Sequence, residues 1–185
     1  DINVTITGGI ANLPYRLSMG YYHENGVLNR SDLKRYSLAI NASPSFMDGR
    51  LTANVSGKVI KDDNFYANQG AIGTAIFFDP TRPVHSGDTS FGGYFEWLMP
   101  NGTPSTLSPK NPVGLIDTRN DIGGGLRSLG NVLFDFRPMG DDLHLFLNLG
   151  GEYSTRSGTI DVPAYAASNY INGGEANKYE SHSYN

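Results

Sequence analysis

Apolar and polar side chains alternate along much of this chain with a period of two. In KRYSLAINASPSF (34–46), Tyr36, Leu38, Ile40, Ala42, Pro44 and Phe46 share one side, while Arg35, Ser37, Ala39, Asn41, Ser43 and Ser45 share the other. That period marks a β-strand with one apolar and one wet face. Ordinary strands run about 5–6 residues, and this stripe is about twice as long. The same rhythm predicts a strand over roughly residues 2–8 (Ile2, Val4, Ile6), a turn at GGIAN, and a second strand at LPYRLSMGYYHEN. There Leu13, Tyr15, Leu17, Met19 and Tyr21 alternate with Pro14, Arg16, Ser18, Gly20 and Tyr22. A loop at NGVLNRSDL leads into the 34–46 strand, and MDGR carries the Asp-Gly hairpin signal. LTANVSGKVI then sets Leu51, Ala53, Val55 and Val59 on one face.

Regular rhythm stops from about Lys61 to Asp121, in a stretch rich in Gly, Pro, Asn and aromatics. A loop of this length in a compact domain is usually functional. Its apolar run NQGAIGTAIFF is compatible with a short helix. Rhythm returns at LRSLGNVLFDFRP (Val132, Phe134, Phe136), turns at MGDD, and continues in LHLFLNLGGEYST. There Leu143, Leu145, Leu147, Leu149 and Tyr153 alternate with His144, Asn148, Gly150 and Glu152, with Phe146 intruding. A second irregular stretch runs from Arg156 to about Asn177, and a last strand is predicted near Lys178. In an antiparallel meander every other connection lies on the same edge. The tight turns therefore gather on one edge and the long loops on the other.

Such stripes are buried either by a second sheet, as in a sandwich, or by lipid. A strand of about 12 residues spans roughly 40 Å, and tilted by about 45° it covers roughly 28 Å, near the thickness of a bilayer's hydrocarbon core. Short turns on one edge and long loops on the other are the habit of outer-membrane barrels. Phe46, Phe134 and Phe136 lie toward the tight-turn edge, and Tyr21, Tyr36 and Tyr153 toward the long-loop edge, like two interfacial girdles. The opposite face carries Arg16, Arg35, Asn41, Asn54, Asp135, Asn148 and Glu152 and would line a wet lumen. The expected fold is all-β: an antiparallel meander of long strands, a segment of a transmembrane β-barrel with short periplasmic turns and long extracellular loops. A soluble, secreted β-sandwich that binds carbohydrate is the alternative, since soluble sheets alternate too.

Composition narrows the function classes. A net charge of −4 gives no electrostatic footprint for nucleic acid. The chain has no cysteine, which excludes a disulfide scaffold and thiolate metal sites. No apolar run reaches the length of a membrane helix. Opening on DINVTITGG, already in strand rhythm, and closing on NKYESHSYN, the chain reads as a piece of a longer protein.

The ordered series of motifs resembles one family. LPYRLSMGYYHENGVLNRSDLKRYSLAINASPSFMDGRLTANVSGKV is similar to the early barrel strands of SusC/RagA-type TonB-dependent transporters. GAIGTAIFFDPTRPV, NPVGLI, RSLGNVLFDF and LNLGGEYSTRSGTIDVPAYAASNY continue the likeness in order. The resemblance implies an outer-membrane barrel of a Gram-negative bacterium, closed around an N-terminal plug. It implies import of oligosaccharides or peptides, a SusD-like surface lipoprotein as lid, and a TonB complex acting through the plug. Residues 1–185 would then be a partial barrel of about seven strands with open edges, lacking plug and TonB box.

Transport requires binding without bond breaking. For a glycan that means aromatic faces against sugar C–H patches, with amides and carboxylates for hydroxyls. The long loop offers Phe91, Tyr94, Phe95 and the single tryptophan Trp97, with Asp88, Glu96 and Asn101 nearby. These are the candidate substrate contacts; the aromatics are equally suited to packing the loop on itself or on the lid. Ile76, Phe77 and Phe78 are candidates for lid contact or loop core, and DPTRP (79–83) for a rigid turn. KDDN and DTRND lack the spacing of a calcium loop and read as solvated loop. His23, His85, His144 and His182 are scattered outside any metal spacing. DIGGGLRS lacks GxGxxG and a surrounding βαβ pattern, so a nucleotide site is not expected. Nothing in the chain calls for a cofactor, and no catalytic constellation appears.

Overall fold

The computed structural model describes residues 1–10 and 13–185. Its strands are β1 (Ile2–Ile10), β2 (Leu13–Asn25), β3 (Asp32–Ala42), β4 (Ser45–Phe46), β5 (Leu51–Phe65), β6 (Asn120–Phe136), β7 (Leu145–Val162) and β8 (Glu175–Tyr184). All belong to one sheet in the order β1-β2-β3-β5-β6-β7-β8, with β4 paired to β5 off that path. Every pairing is antiparallel. Two helices, α1 (Gly70–Phe77) and α2 (Pro112–Asp117), lie in the long β5–β6 connection. The expected all-β meander and the short helix in NQGAIGTAIFF are both present; α2 was not anticipated.

Several boundaries differ from the hydropathy rhythm. The 34–46 stripe is interrupted after Ala42, and strand pairing resumes only at Ser45–Phe46. Pro44 has no N–H for a ladder, and its carbonyl accepts the Ala53 N–H at 3.0 Å. The MDGR turn follows, with Met47, Asp48 and Gly49 all at positive φ. Of the turn expected at GGIAN, Gly8, Gly9 and Ile10 are still strand, and Ala11 and Asn12 lie outside the described residues. KDDN, expected as loop, is the end of β5; the loop-reading of DTRND fails for Asn120 and Asp121, which open β6; and the DIGGGLRS glycines are mid-strand. β7 and β8 likewise run deeper into the second irregular stretch than the rhythm indicated. Where both faces of a strand meet water, backbone pairing persists while the apolar period vanishes.

The register confirms which residues share a face. Val4, Met19, Leu38 and Val59 form one cross-strand row, and Val55, Val132 and Leu149 form another. These side chains stay open: Leu38 is 45%, Ile40 50% and Leu147 54% exposed. The described residues form no second sheet, so nothing in them covers this face as a sandwich would. Each such side chain gains about 1.5–3 kcal/mol on leaving water, so this face calls for a cover that the described residues do not themselves supply. The apolar side chains that are buried (Ala53, Ala71, Leu115, Val162 and Ala166) lie mostly in or against the loops. Tyr21 and Tyr36 pack at 5.2 Å between ring centroids, and Tyr153 and Tyr184 at 5.1 Å, all on the apolar face toward the long-loop edge.

Candidate functional site

The inner face and the long-loop unit carry the chemistry. On the inner face, Arg35 Nε donates to Asp62 Oδ1 at 2.6 Å, and Arg127 grips Glu152 with two bonds of 2.6 and 2.9 Å. Asn131 Nδ2 donates to Asn148 Oδ1 at 2.7 Å. A concavity of about 640 Å³ opens on this wall, lined by Asn41, Ser56, Lys58, Leu129, Asn131 and Glu152 among others. Cross-strand ion pairs and amide ladders of this kind hold register while presenting donors and acceptors to water.

The loop unit is organised by Asn111, which is fully buried. Its Oδ1 accepts the N–H groups of Val113 and Gly114, both at 3.1 Å, capping α2, with Pro112 in the first helical turn. Its Nδ2 donates to the carbonyls of Val84 (2.8 Å) and Phe95 (3.3 Å), and its own N–H donates to Glu96 Oε1 (3.1 Å). One residue thus ties two separate stretches of loop, at Val84 and at Phe95–Glu96, to a helix start. At the other end of α2, Arg30 from the β2–β3 loop donates to the carbonyls of Ile116 (3.4 Å) and Asp117 (2.5 Å) and to Asn120 Oδ1 (2.5 Å). Its guanidinium lies 4.7 Å above the Phe65 ring. A cation at a helix C-terminus also complements the dipole.

Phe78, Phe95 and Trp97 form an edge-to-face cluster, with centroid separations of 4.9 Å (Phe78–Trp97), 5.3 Å (Phe95–Trp97) and 6.4 Å (Phe78–Phe95). Tyr94 donates to Asp117 Oδ2 at 2.8 Å. Burial, then that hydrogen bond, push the Tyr94 hydroxyl up to about 12. Phe91 meets Tyr170 at 5.5 Å and so joins the two long loops. Glu96 is held above the ordinary carboxyl value by burial, which outweighs the Asn111 N–H and the nearby Lys110. Lys110 is lowered by burial and donates to the Ser105 carbonyl at 2.7 Å. Asp88 accepts the Ser90 N–H at 2.5 Å, and Asn101 accepts from the Thr103 N–H (3.1 Å) and hydroxyl (2.8 Å).

The structure therefore gathers Phe95 and Trp97 with Phe78, and Tyr94 and Glu96 around α2, while Asp88 and Asn101 sit at exposed turns of their own. Ile76 and Phe77 stand out on α1, 74% and 77% exposed, in contrast to Phe78. Sequence reading missed Arg30 and Asn111. The Asn-Pro pair was a legible capping signal for the second; no local pattern announces the reach of the first. Among the described residues no group of side chains is arranged to hold a metal ion.

No family model matches the chain. It is similar to the TonB-dependent receptor SusC of Bacteroides thetaiotaomicron, 35% identical over 97% of this chain and 20% of that protein. It is also similar to the TonB-dependent receptor P26 of Formosa agariphila, 25% identical over 75% of this chain and 13% of that protein. The chain thus spans about a fifth or less of the length of either relative. A receptor segment is an outer-membrane component and not an enzyme. An antiparallel meander with an uncovered apolar face, an ion-paired wet face and folded loops on one edge, matched over 97% of its length by SusC, places the chain in the family of SusC-type TonB-dependent receptors, as a segment of the barrel.

Proposed function

We propose that this segment contributes wall and mouth to an active importer of oligosaccharides or peptides. Residues 1–185 supply seven long strands of the barrel, and the plug and remaining strands come from other parts of the same protein. Import is driven by the TonB complex through that plug, and a SusD-like surface lipoprotein closes the mouth. The observation that carries the reading is the uncovered apolar face, backed by an inner wall of ion pairs and amides. A wall of that kind separates lipid from an aqueous path.

Cargo contact is assigned to the loop segment 88–101. Phe91, Tyr94, Phe95 and Trp97 offer ring faces and edges to sugar C–H groups or peptide side chains, and Asp88, Glu96 and Asn101 offer acceptors. The exposed Ile76 and Phe77 of α1 fit the underside of the lid lipoprotein, with Phe78 anchoring the helix to the aromatic cluster.

Uptake of a labelled oligosaccharide or oligopeptide by cells carrying the full-length receptor tests this. The reading requires uptake to vanish when TonB or the lid lipoprotein is deleted. Undiminished uptake without TonB, or a full-length protein that stays monodisperse with no amphiphile, would overturn it.

A further inference from the structure

Of the three consecutive glycines of β6, Gly124 faces outward and so lies off the cargo path. The register places it in the row Lys34–Asp63–Gly124–Ser157–Glu180, on the same side as Leu38 and Leu147. The rows on either side are Tyr36–Lys61–Leu126–Thr155–His182 and Asp32–Phe65–Ile122–Thr159–Lys178. Together the three rows form a concavity of about 670 Å³, with Gly124 in its floor. A Cβ at Gly124 would lie 2.6 Å from the Asp62 carbonyl oxygen, so no other residue fits there without a shift.

We propose that this outward concavity binds the phosphorylated glucosamine headgroup of the outer-leaflet lipid. The inference goes beyond cargo import and rests on that reading only for the orientation of the barrel. Lys34, Lys61 and Lys178 come from three strands and line the concavity. Lys34 and Lys61, both exposed, reach Asp32 and Asp63 only at 3.7 and 3.4 Å. Exposed pairs of that length are worth about 0–1 kcal/mol, so their ammonium groups are free to turn to a phosphate. Lys178 makes no salt bridge among the described residues. Thr155, Ser157 and Thr159 supply hydroxyls for a sugar, Asp63 accepts from sugar hydroxyls and amides, Asp32 is held by His23 at 2.5 Å, and Ile122 and Leu126 give the floor an apolar rim.

The height is right for a headgroup. Lys34 lies two residues beyond Tyr36, a step of about 7 Å along the strand. The polar layer outside the hydrocarbon core is about 5–8 Å deep per leaflet, and tyrosine rings mark its inner boundary. The concavity sits on the long-loop side of that boundary, in the middle of the sheet, where closing the barrel leaves it facing outward.

Native mass spectrometry of the full-length receptor, in detergent with added lipid A, tests the proposal. The wild type should retain lipid A, and a Lys34→Gln/Lys61→Gln/Lys178→Gln variant should bind it at least tenfold more weakly. Lys58→Gln, on the inner wall, should leave binding unchanged. Inorganic phosphate at the same concentration should not displace the lipid, and phosphatidylethanolamine should not replace it. Equal retention by the triple variant, or displacement by phosphate alone, would overturn the assignment. Heat-modifiable gel migration reports whether the variant is folded. Cargo uptake, measured in parallel, should survive the triple substitution; its loss in a TonB deletion tests the importer reading independently.

Discussion

The Arg30 guanidinium donates to the Asp117 backbone carbonyl at 2.5 Å, across 87 positions of sequence. This contact fastens the β2–β3 loop to the end of α2, and Arg30 takes a left-handed backbone conformation (φ 62°) to make it. Hydrogen bonds from charged donors are worth about 1.5–3 kcal/mol. Arg30→Ala should loosen α2 by roughly that amount, read as faster amide exchange over residues 112–120 in the full-length receptor. Arg30→Lys should recover only part, because one ammonium cannot reproduce the forked donors. Unchanged exchange in the alanine variant would show that the strut is idle.

Asn111 is both cap and donor. Asn111→Ala should lose about 1–2 kcal/mol from the cap alone, with a further penalty for the unmet Val84 and Phe95 carbonyls. Asn111→Asp keeps the cap but sets a carboxylate against those carbonyls and against Glu96. Limited proteolysis within residues 80–110 should therefore accelerate in both variants, and the aspartate should not rescue the loop.

Glu96 makes the loop sensitive to pH. Its carboxyl is raised above the ordinary 4.5 by burial, so the folded loop holds the proton more firmly than the unfolded one. The stabilising contribution is complete below that ordinary value and is lost as pH rises through the higher, folded one. Glu96→Gln retains an acceptor for the Asn111 N–H and removes this dependence. Amide exchange around residues 94–98, corrected for intrinsic rates, should be slower in the variant at neutral pH and converge with the wild type in acid.

The two faces should respond oppositely to charge. Leu149→Arg puts a guanidinium on the lipid side, between the rows of Phe134 and Tyr153, at a cost of about 2–4 kcal/mol near the bilayer midplane. Asn148→Arg, its neighbour on the inner wall, meets water and loses only the bond to Asn131. Folding of the full-length barrel into lipid vesicles at graded denaturant should separate the two. Equal midpoints would contradict the assignment of faces.

How much of this was legible depended on the surroundings of each segment. Leu38, Ile40, Leu145 and Leu147 advertise their strands because lipid demands apolar side chains at every second position. Asp62–Phe65 and Asn120–Gly125 form strand with no such signal, since water on both sides imposes no period. Pro44 interrupts a stripe whose side-chain rhythm is unbroken, because hydropathy cannot see a missing N–H. In the loop, the aromatic residues were recognisable as a group, but their partners were not. The contact of Trp97 with Phe78, and the hold of Arg30 on α2, arise from chain reversals that leave no local trace.

The buried apolar side chains lie mainly in the mouth rather than beneath the wall, and this separates two kinds of cohesion. The wall owes its integrity to the bilayer, whereas the long-loop unit is held by its own contacts: the fully buried Asn111, the buried Leu115 and the half-buried Phe78–Phe95–Trp97 cluster. Heating the assembled receptor should therefore give two melting events, the gate giving way before the cylinder that carries it.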